Sequence, residues 1–197
     1  FNPKYMEKLK NCGVSFLDSA DEIYPLALAY VGKNPNSKDK SDYAKKSEAA
    51  MLLKNIRPYI TQFHSSQYIN NLANGDICVA VGWSGDILQA MDRADEAENG
   101  VSIEYTIPKE GTSMWFDMLA IPKSAKNSDN AHKLVNFLMR PDIMGDISNY
   151  VWYPNGIPAS KAMLDEEISS NTSIYPDAAT KAKLFPLSVH AQKIDKE

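Results

Sequence analysis

Ile77-Cys-Val-Ala-Val81 runs without interruption into Gly82-Trp83-Ser84-Gly85-Asp86. Five consecutive apolar residues, preceded by Asn74-Gly75 and closed by Gly82, predict a strand covered on both faces, as in the parallel sheets of α/β proteins. The glycine-containing turn then opens a helix over Asp86–Glu98 with a charged outer face. In open parallel sheets ligands bind beyond the carboxyl ends of the strands, so this turn falls at a rim position. Asp86 reads both as a helix N-cap and as a carboxylate facing a ligand, and its two oxygens allow both. The turn is not a G-x-S-x-G nucleophile elbow, because position 86 is Asp, and it holds no G-x-G-x-x-G phosphate cradle.

Strands and helices alternate outward from this point. On the amino side, Val14–Leu17 reads as a short strand and Ser19-Ala-Asp-Glu22 opens a helix running to about Val31. Gly32–Ser37 is a loop, and a surface helix over Asp42–Ile56 stops before Pro58. Tyr59–Phe63 is a candidate strand, and Ser66–Ala73 is a short helix. On the carboxyl side, Val101–Ile107 and Met114–Ile121 read as strands flanking a loop at Pro108–Gly111. Ala131, Leu134, Val135 and Leu138 recur at i, i+3, i+4 and i+7, which predicts a helix over Asn130–Met139 stopped by Pro141. A second helix follows over Pro141–Asn149, and beyond Trp152 the chain is irregular, with a helical stretch near Ser160–Ser169. This alternation predicts an α/β fold with a largely parallel sheet.

The 197 residues carry 21 Lys and Arg against 25 Asp and Glu, a formal charge of −4. With 44% apolar and 23% charged residues there is enough apolar surface for a core in one or two domains, which argues against disorder. Mild acidity argues against nucleic acid as the main ligand and is compatible with a cationic small molecule. No apolar run approaches the roughly 20 residues that span a bilayer. No signal-peptide pattern occurs in this stretch, and a chain starting at Phe1 is expected to be processed or incomplete. Cys12 and Cys78 are the only cysteines, and no CxxC or HExxH spacing exists, so neither a metal site nor a cofactor is expected. Residue type alone leaves one bridge in an exported protein and two free thiols in a cytosolic one equally open.

Four clusters are candidates for chemistry. On a Met114–Ile121 strand, Trp115 and Asp117 share a face, and apolar neighbours surround the carboxylate. A carboxylate buried there must meet a cation, a donor network or water. It is either a hydrogen-bonded structural Asp or a carboxylate beside an indole awaiting a positive ligand. Ser19-Ala-Asp-Glu22 matches the S-x-x-E capping box, while Asp21 and Glu22 also place negative charge just past a strand. His64-Ser65-Ser66 has no identifiable orienting acid, which argues against nucleophilic catalysis; His132 and His190 read as surface residues. Tyr150-Val-Trp152-Tyr153-Pro154 is either core packing or an aromatic wall facing a ligand. Carboxylates among aromatics, without nucleophile, metal site or phosphate loop, suit the binding of a cation.

Longer runs carry a resemblance. Phe63-His-Ser-Ser-Gln-Tyr-Ile-Asn70, Leu72-Ala-Asn-Gly-Asp-Ile-Cys-Val-Ala-Val-Gly-Trp-Ser-Gly-Asp86 and Ile107-Pro-Lys-Glu-Gly111 are similar to the bacterial periplasmic polyamine-binding proteins. So are Trp115-Phe-Asp117 and Asn136-Phe-Leu-Met-Arg-Pro-Asp142. These are the solute receptors of ABC importers for putrescine and spermidine. The resemblance implies a two-lobed, type II periplasmic-binding-protein architecture with the first lobe largely missing from this chain. Residues 1–104 would be the main part of the second lobe. Residues 105–149 would be a returning segment of the first, and 150–197 a hinge crossing plus the carboxyl-terminal part of the second. It further implies a ligand set of Glu22, Trp83, Asp86, Trp115, Asp117 and Tyr153, and a Cys12–Cys78 disulfide. Trp83 would stack on the methylene chain, the carboxylates would meet amines, and Tyr153 would lie near the hinge.

The expected function is a periplasmic, non-enzymatic receptor that closes on a polyamine and delivers it to a membrane permease. The complete protein is expected to be monomeric, with no nucleic-acid partner. Trp115 offers a larger face than phenylalanine, which favours spermidine over putrescine. The alternatives are an α/β enzyme acting on an amine through an Asp general base, and a receptor-like domain that has lost its ligand.

Overall fold

The computed structural model describes residues 1–188; His190 and the rest of the tail lie outside the described residues. Asn2 caps α1 (Pro3–Leu9), its side-chain oxygen accepting the Lys4 N–H at 3.0 Å. The chain then enters β1 (Val14–Phe16), whose three side chains are all buried. Next come α2 (Ala20–Tyr30), α3 (Glu48–Ile56), β2 (Gln62–Phe63), α4 (Tyr68–Ala73), β3 (Val79–Ala80) and α5 (Ser84–Ala97). β1 is the middle strand of a parallel sheet of order β2-β1-β3, with Ser15 opposite both Gln62 and Ala80. Helices therefore join parallel strands, as an α/β fold requires.

The core is built on β1. Val14 and Phe16 pack with Ile23, Ile56, Tyr68 and Ile87, and Ile103 and Tyr105 cover this cluster from further along the chain. A smaller cluster under α2 joins Leu28, Tyr43 and Ala49; a third joins Leu88 of α5 to Ile168 and Ile174, with Trp152 against it. Thr61 adds to the ladder through its side chain: its hydroxyl donates to the Val14 carbonyl at 2.7 Å and accepts the Val14 N–H at 2.9 Å.

Four sequence expectations are corrected. The apolar run Ile77–Val81 is not a doubly covered strand: β3 pairs only with β1 among the described residues, and Val79 and Ala80 are half-buried. The helix expected over Asp42–Ile56 is split into a 3-10 turn at Lys40–Tyr43 and α3, because Ser47 caps a new start by accepting the Ala50 N–H. Residues 101–107 alternate half-buried and exposed as a strand would, but have no ladder partner among the described residues. Of the strand expected over Met114–Ile121, only β4 (Ser113–Met114) forms.

Beyond β4 lie α6 (Ser128–Leu138), α7 (Pro141–Val151), α8 (Glu166–Ser169), α9 (Ala178–Lys181) and β5 (Phe185–Pro186), and β5 runs parallel to β4. The apolar stripe of α6 exists as expected, yet none of its residues is buried and Leu134 is 58% exposed. Phe116, Met118 and Leu119 are 69%, 86% and 68% exposed, so the segment after β4 is uncovered on both faces.

Cys12 and Cys78 form a disulfide with Cα atoms 5.5 Å apart, joining the residues that lead into β1 and β3. The bridge closes a loop with a sequence separation of 66, worth up to about 4 kcal/mol through the restricted unfolded chain. Labelling the unreduced, denatured protein should therefore find no free thiol at either position. Reduction and alkylation should lower the unfolding free energy obtained from urea titration by an amount of that order, and an unchanged value would show that the bridge adds nothing to stability.

Candidate functional site

The carboxyl ends of β1 and β3 emerge side by side, and both lead into helices. From β1 the chain passes Leu17 and Asp18 to Ser19, the N-cap residue of α2. The expected capping box does not form: Ser19 makes no side-chain cap bond. Glu22 turns instead toward the neighbouring strand end, where its Oε1 accepts the indole Nε1–H of Trp83 at 2.7 Å. The indole N–H has no other partner among the described residues, whereas the first amides of α2 can be served by water.

Trp83 itself is the N-cap residue of α5, which corrects the N-cap reading of Asp86. Asp86 lies three residues further on, in the first turn, where the helix dipole favours a carboxylate. Its Oδ2 accepts the Tyr68 hydroxyl at 2.7 Å and its Oδ1 accepts the Tyr153 hydroxyl at 3.4 Å. Tyr68 also accepts the backbone N–H of Trp83 at 3.2 Å. Two glycines make room for these rings. A Cβ at Gly82 would stand 2.5 Å from the Tyr68 ring, and one at Gly85 would stand 2.2 Å from the Tyr153 ring. Burial pushes both phenols above the usual tyrosine range, and the Asp86 carboxylate adds to the rise.

Tyr153 arrives from a distant part of the chain. Trp152 ends α7 in the left-handed conformation, φ 60°, which is uncommon outside glycine and turns the chain toward α5. Asn155 fastens the next turn: its Nδ2 donates to Ser148 Oγ at 2.8 Å, and its Oδ1 accepts the Ser160 hydroxyl at 3.0 Å. Of the aromatic cluster, Trp152 packs on the third core and Tyr150 is exposed. Tyr153 alone faces the site.

Trp115 meets Tyr153 edge-to-face, with ring centroids 6.5 Å apart. Asp117 is exposed and makes no hydrogen bond or ion pair among the described residues, which corrects the expectation of a buried carboxylate. The structure therefore brings together Glu22 with Trp83, and Asp86 with Tyr153, which Trp115 flanks; Asp117 makes no bond to them among the described residues.

His64 braces the turn that leads into α4: its Nδ1 accepts the N–H groups of Ser66 and Gln67 at 3.1 and 3.0 Å. The nearby Ser66 hydroxyl lies 3.4 Å from that nitrogen, and no acid orients the ring among the described residues. No group of three or more His, Cys, Asp or Glu side chains that could hold a metal ion occurs among the described residues. A depression of about 580 Å³ lies at the other end of the sheet, lined by Lys10, the disulfide, Gln62 and Asn71. It is away from both carboxylates, and the convergent charge lies at the strands' carboxyl ends.

Glu22 and Asp86 pair with no Lys or Arg among the described residues; neutral donors hold both. Such carboxylates have acceptor capacity left and no local cation, beside aromatic faces. The arrangement can take up ammonium groups. Tyr68 was not singled out from sequence. Its one signal is indirect, in Gly82, where a Cβ would meet its ring.

A family model described as bacterial extracellular solute-binding protein matches residues 4–177. The chain is 50% identical over 194 residues to the putrescine-binding periplasmic protein PotF of Escherichia coli K12, covering 98% of this chain and 52% of PotF. It is also 50% identical over 185 residues to the putrescine-binding periplasmic protein SpuD of Pseudomonas aeruginosa UCBPP-PA14, covering 94% of this chain and 50% of SpuD. A solved structure titled a putative spermidine/putrescine ABC transporter from Listeria monocytogenes superimposes with a TM-score of 0.83 at 29% identity, covering 98% of this chain and 57% of that one. The chain thus spans about half the length of the curated relatives it matches. The fold class is the α/β type II periplasmic-binding-protein architecture. With a family match over most of its length, the chain belongs to the bacterial extracellular solute-binding proteins.

Proposed function

We propose that this chain forms part of a periplasmic polyamine receptor that delivers its ligand to an ABC permease. The observation that carries this reading is the pair of carboxylates, Glu22 and Asp86, held by neutral donors at adjacent strand ends beside Trp83 and Tyr153. A polyamine is a string of cations separated by methylenes, so it needs spaced carboxylates with flat apolar faces between them. The names of the relatives support the same ligand class.

In this reading residues 1–104 and 150–197 belong to one lobe and 105–149 to the other. Tyr105, which packs against the β1 core, stands at the boundary. The uncovered segment around Trp115–Leu119 and the uncovered face of α6 support the partition: they have the composition of a lobe interior without its cover. Asp117 would meet an amine when the lobes close, and closure would desolvate it and strengthen the pairing. The complete receptor would act as a monomer and would not turn its ligand over.

Trp115 favours spermidine over putrescine, because an indole covers more methylenes or the secondary ammonium that only spermidine has. The names of the relatives at 50% identity favour putrescine as the second reading.

Calorimetry on the intact protein that carries this chain should give heat with putrescine or spermidine and none with neutral amino acids; silence with every polyamine would overturn the reading. Chemical change of a bound polyamine would favour an enzyme. Asp86→Asn should cost about 2–5 kcal/mol of affinity by removing a desolvated charge partner. Asp117→Asn should also weaken every polyamine, and an unchanged affinity would remove Asp117 from the site. Trp115→Phe should weaken spermidine more than putrescine; equal losses would leave Trp115 without a role in ligand choice.

A further inference from the structure

We infer that Tyr68 is a positioning residue for Asp86 and Trp83, a role in binding that rests on the polyamine reading above. Tyr68 is 0% exposed, so it cannot touch a ligand. Its one polar atom is engaged in both directions: it accepts the Trp83 backbone N–H at 3.2 Å and donates to Asp86 Oδ2 at 2.7 Å. A single oxygen thus ties the residue that begins α5 to the carboxylate one turn later. The accepting bond orients the donating one, because a lone pair turned to the amide leaves the hydroxyl proton aimed at Asp86.

Packing does not account for the hydroxyl. The ring fills the core beside Phe16, Leu72 and Ile87, and phenylalanine would fill it as well. Gly82 completes the arrangement, since any Cβ there would collide with Tyr68 Cε2 at 2.5 Å. The second phenol on Asp86 differs in kind: Tyr153 is half-buried, comes from the turn after α7, and holds Oδ1 at 3.4 Å. Tyr68 is the fixed contact and Tyr153 the looser one, so an arriving ammonium displaces or rearranges Tyr153 and leaves the Tyr68 bond in place.

The test is a double-mutant cycle in the intact protein, with Tyr68→Phe, Asp86→Asn and the pair, titrated calorimetrically with putrescine and spermidine. Tyr68→Phe should weaken both ligands about tenfold, the effect of losing a hydrogen bond to a charged group. In the Asp86→Asn background the same change should cost less than about twofold, because coupled residues are not additive. Equal losses in both backgrounds would overturn the inference, since a purely structural tyrosine gives additive effects. Gly82→Ala, which keeps the hydroxyl but displaces the ring, should reproduce the loss; full affinity in both Gly82→Ala and Tyr68→Phe would overturn it as well. If the unaltered protein takes up no polyamine, the functional reading fails, and urea unfolding of the same four proteins decides the inference separately. Coupled midpoints would sustain the Tyr68–Asp86 link, and additive ones would overturn it.

Discussion

The pairing of β1 on both of its edges governs the rest. Its three residues are buried, so each backbone group needs a partner. The Val14 and Phe16 carbonyls accept from Thr61 and His64 on one side, both at 2.9 Å, while Gly13 and Ser15 accept from Cys78 and Val81 on the other at 3.0 and 2.9 Å. Because the three strands are parallel, their carboxyl ends share one rim. The loop leaving β1 and the loop leaving β3 come close enough for a carboxylate on one to meet an indole on the other. A register slip of one residue would exchange the faces of β1 and carry Glu22 away from Trp83.

The α/β class and the rim position of Gly82–Asp86 were legible in the sequence, but the hierarchy of strands was not. Five apolar residues at Ile77–Val81 suggest the centre of a sheet, yet the centre is Val14-Ser15-Phe16. A serine occupies its middle, and its hydroxyl is satisfied by Gln62 Nε2 at 3.2 Å. Hydrophobicity reports burial only where polar groups lack partners, and a partner 47 residues away leaves no local trace.

The site was legible as a set of residues rather than as bonds. Trp83 and Asp86 follow from a turn after a strand, but their partners lie far along the chain: Glu22 is 61 residues from Trp83, and Tyr153 is 67 from Asp86. Glu22 matched a capping box because the local pattern is all that a short window contains. The structure resolves the competition in favour of the indole. Tyr68 is hidden for the opposite reason: an aromatic residue on a short helix reads as core, and the core is where its ring sits. The expected strands over 101–107 and 114–121 mark a different limit. Alternation is a property of the segment, whereas a ladder needs a neighbour.

The bond between Trp83 and Glu22 has an optical consequence. The chain contains three tryptophans, at positions 83, 115 and 152. Trp152 is packed against core and Trp115 stands beside Tyr153, whereas the Trp83 indole is joined directly to a carboxylate that a cation would also seek. Under the proposed function, a cation taken up at Glu22 would change the surroundings of the Trp83 indole and so its emission. The fold would then carry its own fluorophore at the rim of the sheet, joined to the proposed binding charge, with no dye attached.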